Sequence, residues 1–202
     1  NDRVLVFYAG HGAERPVLGE PDRFGHFLIP SDAEPDKWNT YIDWDVIRSA
    51  GDEFCRAKHV FYILDTCYSG IVNEVRDAGE MTRDVCNALV HRARQALTAG
   101  TGSQVVADAG RGGHSPFTWH LINGLRGDAL DFKQKKGELS ISAPDLIDYL
   151  KHKVSEEPNV TQNPNGGSIA GHCGGDFIFT SPLIAFSGQE HFRLGVGLVN
   201  LG

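Results

Sequence analysis

The sequence predicts an α/β fold with a mainly parallel central sheet and helices on both of its faces. Three observations predict it. Residues 60–64 (VFYIL) form an apolar run of aromatic and β-branched residues that stops abruptly at Asp65, Thr66 and Cys67. Such a run is what a strand buried on both faces requires. Residues 4–9 (VLVFYA) form a second run, which stops at Gly10, His11 and Gly12. Between and after these runs lie stretches of helical spacing with capping residues, and strands alternating with helices indicate a mainly parallel sheet.

Taken in order, residues 1–9 read as a strand and residues 10–23, with Gly, Pro and charge, as a loop. Residues 24–30 (FGHFLIP) read as a short strand ended by Pro30, and residues 31–40 as a polar turn region. Asp43 is a good N-cap for a helix over residues 44–54. The strand at 59–65 follows. Residues 82–97 have helical spacing with a mixed face, and residues 95–99 with 104–107 read as the next strand and its bend. Residues 110–113 are a turn. Ser115 as N-cap with Pro116 at the first helical position starts a helix that turns Phe117, Leu121, Ile122 and Leu125 to one face. Residues 127–137 read as a charged loop. Ser142 caps a helix over 143–154 with Leu146, Ile147 and Leu150 inward. Residues 158–175 are a Gly/Asn/Pro loop of the kind that lines a cleft. Residues 176–180 (DFIFT) read as a last strand, and 183–202 as a tail.

With 202 residues, one domain is expected, large enough to bury about 70% of its unfolded surface. The net charge of −7 gives no support to a nucleic-acid or anionic-membrane partner and mildly favours a cationic substrate. No apolar run approaches the ~20 residues of a membrane helix, and no signal peptide is visible. The four cysteines, Cys55, Cys67, Cys86 and Cys173, form no CxxC pair. A reducing, cytoplasmic setting is therefore expected, and it would keep a thiol usable. The chain opens directly on a strand. A sheet beginning there leaves residues 3–9 as an exposed apolar edge, so an upstream segment, removed or held in another chain, is expected.

The chemistry concentrates at two strand ends. Open α/β sheets bind ligands at the carboxyl ends of their strands. Parallel neighbours would bring Cys67 and His11 to the same edge, the pairing a thiol nucleophile needs with an imidazole to hold its proton and later protonate a leaving amine. Asp65 lies two residues before Cys67, on the same side of an extended chain, and a carboxylate there suits a substrate arginine or lysine. The alternative for Asp65 is a helix or turn cap. His114 and His172 sit in glycine-rich loops that could face the cleft.

YAGHG followed by DTCYSG, with His11 and Cys67 56 residues apart, resembles the caspase-like cysteine peptidases, the clan of caspases, metacaspases and their bacterial and fungal relatives. The caspase spacing is roughly 50 residues. DTCYSG is closer to the DSCHSG of metacaspases, with Tyr68 replacing its His, and the QAC signature of animal caspases is absent. The resemblance covers residues 1–182. It implies the three-layer caspase-like fold with a large-subunit-like part over 1–70, a linker over 71–97 and a small-subunit-like part over 98–182.

It also implies a cysteine endopeptidase acting through a thioester acyl-enzyme, with the backbone N–H groups of Gly12 and Cys67 as the oxyanion hole. A basic-specific pocket follows, from Asp65 and from Asp108 in GSQVVADAG. Autocleavage in the linker is expected at Arg76, Arg83, Arg92 or Arg94. The chemistry needs no cofactor, but the resemblance suggests calcium as an activator held by Asp32, Asp43 and Glu74, with Asp45 beside them. The expected partner is a protein or peptide with a basic residue before the scissile bond. The competing readings are a catalytically silent scaffold of the same fold and a flavodoxin-like nucleotide binder. The latter lacks any GxGxxG or GxxxxGK[ST] after a strand.

Overall fold

The computed structural model describes residues 2–66, 85–100, 111–135, 138, 140–158, 160 and 162–180. Its elements are β1 (Arg3–Ala9), β2 (His11–Val17), β3 (Glu20–Ile29), β4 (Ile42–Asp43), α1 (Trp44–Ser49), β5 (His59–Asp65), α2 (Val85–Val90), β6 (Ala93–Thr98), α3 (Pro116–Asn123), α4 (Ala129–Phe132), β7 (Ser140–Ser142), α5 (Ala143–Ser155), β8 (Asn165–Ser168) and β9 (Ile178–Thr180). The central sheet runs β1-β5-β6-β8, parallel except for the antiparallel β8. The expected α/β architecture is thus present.

β5 is buried along its whole length because both faces of the sheet are covered. Phe61 and Ile63, with Leu97 of β6, face Phe117 and Leu121 of α3 and Leu146, Tyr149 and Leu150 of α5. Val60, Tyr62 and Leu64 face the other way, onto Trp44 of α1, Leu28 of β3 and Ile169. Each of these side chains contributes about 1.5–3 kcal/mol by leaving water. Among the described residues β1 lies at the sheet edge and is covered on one face only. Val4, Val6 and Tyr8 pack inward, while Leu5 (46%) and Phe7 (48%) are exposed.

The caps match expectation. Asp43 Oδ1 accepts from the Asp45 N–H at 2.8 Å at the start of α1. Ser115 and Ser142 accept from the third residue onward, at 3.0 and 3.3 Å. Four local readings need correction. Residues 10–23 are not a loop: β2 and β3 form a hairpin around Gly19, whose φ of +85° is the left-handed conformation that glycine adopts without cost. β2 (HGAERPV) carries no apolar alternation because both of its faces are largely exposed, with Glu14 and Pro16 on one and His11 and Arg15 on the other. The helical spacing of 82–97 ends early. α2 stops at Val90, and Ala93–Thr98 is the fully buried β6, where Arg94 and Gln95 disguise a core strand. Residues 127–137 include α4. Residues 158–175 include β8 (NGGS), which joins β6 through backbone pairing and so carries no apolar signal. The last strand, β9, pairs with β7 in a separate two-stranded sheet. The tail lies outside the described residues.

His59 opens β5 at 2% exposure. Its Nε2–H donates to the His91 carbonyl at 2.9 Å, and Nδ1 is buried without a partner among the described residues. Burial pushes its pKa below the ordinary value, against the smaller opposing effect of the His91 carbonyl. The unfolded chain therefore takes up the proton first, near pH 6.5, while the folded chain resists it. Stability should fall as pH drops through and below that value. A His59→Gln variant should show a flatter acid limb in melting temperature between pH 7.5 and 5. Equal slopes would remove His59 from this role.

Candidate active site

The site begins with register. β1 and β5 are parallel neighbours, and their last pair is Ala9 with Asp65. One further rung closes the ladder, where the Gly10 N–H donates to the Asp65 carbonyl at 3.1 Å. His11 follows two residues after Ala9. Cys67 stands two residues after Asp65 in sequence, but it lies outside the described residues, as do Glu74 and Asp108.

His11 is exposed and opens β2, opposite Ile29, while Gly12 is buried opposite Leu28. The turn into β2 is held from beneath by Tyr8. Its hydroxyl lies 2.7 Å from the His11 carbonyl and 2.9 Å from the Ile29 carbonyl. A Cβ at position 10 would come within 2.7 Å of that hydroxyl, so glycine is what lets Tyr8 sit there. Burial raises the Tyr8 pKa, against the Ile29 hydrogen bond, which keeps the phenol a donor at neutral pH. In the sequence Tyr8 is an ordinary strand aromatic, and nothing there marks this role. Tyr8→Phe should free the His11 backbone. If hydrolysis depends on His11, kcat should fall about 2–10-fold with KM little changed, the worth of one net hydrogen bond. An unchanged kcat would show that the clamp is not needed.

Asp65 is buried at 6% exposure. Ser115 Oγ and Thr118 Oγ1 both donate to its Oδ2, the latter at 2.5 Å. Its carboxylate thus faces the N-terminus of α3, where hydroxyl donors and the helix dipole both favour negative charge. The N-cap of α3 is Ser115, and Asp65 meets it through that hydroxyl rather than capping a helix N–H itself. Ser115 was legible as an N-cap, but its bond across the chain to Asp65 was not. His114, the residue before Ser115, is exposed.

His172 is elsewhere. Its Nδ1 accepts from the Arg94 N–H at 3.3 Å. Arg94 stands at the amino end of β6, and its guanidinium donates to the carbonyls of Ala57, Lys58 and Ala93 at 2.8–3.1 Å. His172 therefore lies at the opposite end of the sheet from Asp65, and the expectation that it faces the cleft is corrected.

The acids suggested for calcium are dispersed in role. Asp32 is exposed in a turn after β3, Asp43 caps α1, and Asp45 pairs with Arg48 at 3.2 Å and Arg23 at 3.9 Å. Among the described residues no three His, Cys, Asp or Glu side chains form a group able to hold a metal. Calcium takes six to eight oxygens, and the described acids do not supply them. No helix among the described residues is long and apolar enough to cross a membrane.

Comparison with known proteins adds family evidence. The family model for the caspase domain, of peptidase family C14, matches residues 1–168. A crystal structure of protein GSU0716 from Geobacter sulfurreducens is 17% identical, with a TM-score of 0.48 over 95% of this chain and 71% of that one. No curated protein matches.

Proposed function

The chain belongs to the caspase-domain family of peptidases, and from that premise we propose that it is a cysteine endopeptidase that cuts after arginine and, second, lysine. The observation that carries this reading is the parallel β1–β5 register, because His11 and Cys67 each follow its last pair by two residues. In the proposed reaction the Cys67 thiolate attacks the scissile carbonyl, and the N–H groups of Gly12 and Cys67 receive the developing oxyanion. His11 protonates the departing amine, leaving a thioester. Water activated by His11 then releases the acid product and the thiol.

The basic preference is supported by Asp65, whose buried carboxylate is held in place by Ser115 and Thr118. Asp108 is the second proposed acid of the pocket. A peptide library in which the residue before the scissile bond varies tests the reading. Cleavage after Arg above Lys, and none after Asp, is expected. Preferred cleavage after Asp or after apolar residues would reject it. The same library, run with calcium and with a chelator, decides whether Asp32, Asp43 and Glu74 activate the enzyme.

The burial of Arg94 and the pairing of Arg92 favour two bonds for the proposed self-processing. Arg94 is 1% exposed within β6, and Arg92 pairs with Asp52 at 2.7 Å directly before that strand. A peptidase cannot seat a buried strand without unfolding it. We therefore place autocleavage after Arg76 or Arg83. Mass spectrometry of active enzyme should show a new terminus there, and a terminus after Arg94 would contradict it. The exposed Leu5 and Phe7 on the edge strand β1 support a further proposal, that another segment or chain pairs with this edge.

A further inference from the structure

The β2–β3 hairpin carries more than His11. Strand alternation places His11, Ala13 and Arg15 on one face of β2, opposite Ile29, Phe27 and Gly25 of β3. Gly12 lies on the other face, with Leu28, toward the core. Beside Phe27 the Trp38 ring sits edge-on at 5.1 Å, and Tyr41 lies 5.0 Å beyond Trp38. The Arg15 guanidinium stands over this shelf, 4.9 Å from the Trp38 ring centre and 5.6 Å from that of Phe27. Arg15 is exposed, and no carboxylate of the described residues pairs with it. Glu14 belongs to the opposite face, 4.0 Å from His26.

We propose that this face is a subsite for the departing half of the substrate, and that Arg15 selects an acidic residue there. The proposal rests on the peptidase reading. If His11 protonates the leaving amine, the segment after the scissile bond starts over His11 and runs along the element that carries it. Arg15 lies four residues further along β2, about 13 Å at the rise of a strand. An extended peptide covers that span in the same number of residues, which puts the acid at the fourth or fifth position after the cut. The intervening side chains lie on Phe27, Trp38 and Tyr41, so apolar residues suit them. Stacking holds the guanidinium in one orientation, while its edge N–H groups stay available for a bidentate carboxylate. On a protein of net charge −7, an arginine held over aromatic rings, with no carboxylate partner among the described residues, is a local positive spot where an acidic side chain gains most.

The test uses peptides with arginine before the scissile bond and Glu, Ala or Lys at the fourth and fifth positions after it. A reporter with arginine joined directly to a small fluorescent amine serves beside them. Wild type should cleave the Glu peptide about 3–5-fold faster than the Lys peptide in kcat/KM, the scale of an exposed ion pair. The preference should vanish in Arg15→Ala and reverse in Arg15→Glu. Each ratio is taken within one protein, so a general loss of activity cancels. A Glu-to-Lys ratio that is the same in wild type and Arg15→Glu, with the reporter cleaved, overturns the subsite and leaves the peptidase reading standing. Failure of wild type to cleave reporter and peptides alike overturns both.

Discussion

Cys67→Ala is expected to lower peptide hydrolysis by at least about 10³-fold, the scale seen when a catalytic nucleophile is removed. The proposed thioester route has no substitute acceptor once the sulfur is gone. His11→Ala should cost nearly as much if, as proposed, thiol and imidazole act as a unit, and the double variant should be little worse than either single one. Neither change should unfold the chain. His11 is exposed at the mouth of the hairpin, and the core on both sheet faces is built without it. Hydrolysis at the parent rate in folded Cys67→Ala protein would remove the nucleophile from the account.

Asp65→Asn is expected to weaken cleavage after arginine by about 10–1000-fold, the cost of leaving a desolvated guanidinium without its anion. A carboxylate facing a substrate carboxylate would be repelled and costly to desolvate, whereas a guanidinium forms two charge-assisted hydrogen bonds with it. The geometry adds a structural effect to separate out. Asp65 also accepts from Ser115 and Thr118, so Asp65→Asn loosens the start of α3. Thr118→Val removes one of those donors and keeps the carboxylate. If Asp65 serves the pocket, the arginine preference survives in Thr118→Val and is lost in Asp65→Asn. If Asp65 only anchors α3, both variants lower all substrates alike.

The parts of the fold that were legible in sequence are those in which burial and local chemistry agree. β1 and β5 announce themselves as apolar runs, and α1, α3 and α5 by caps whose side chains bond within their own turn. What escaped was decided by distant partners. β6 looks helical and charged because the terminal N–H groups of Arg94 are taken by carbonyls of Ala57, Lys58 and Ala93, and Gln95 by Asp176 and the Phe177 N–H. β8 holds its place through backbone pairing with β6, which leaves no mark on side-chain pattern. The place of His11 directly after β1 was legible because it follows an apolar run within a glycine pair. The Tyr8 clamp and the Ser115–Asp65 bond were not, since each joins residues whose proximity only the folded chain creates.

The central claim is that Cys67 is a thiol activated by His11, and the rate of iodoacetamide alkylation across pH measures it most directly. Peptide mapping follows Cys55, Cys67, Cys86 and Cys173 separately in the native protein. An ordinary thiol near pKa 8.5 is only a few per cent ionised at pH 7, whereas one paired with an imidazolium is largely thiolate. Cys67 should therefore react at least about 10-fold faster than the other three at pH 6–7. His11→Ala should return it to the pH dependence of an unperturbed cysteine. Alkylation of all four at similar rates, with no change in His11→Ala, would contradict the account.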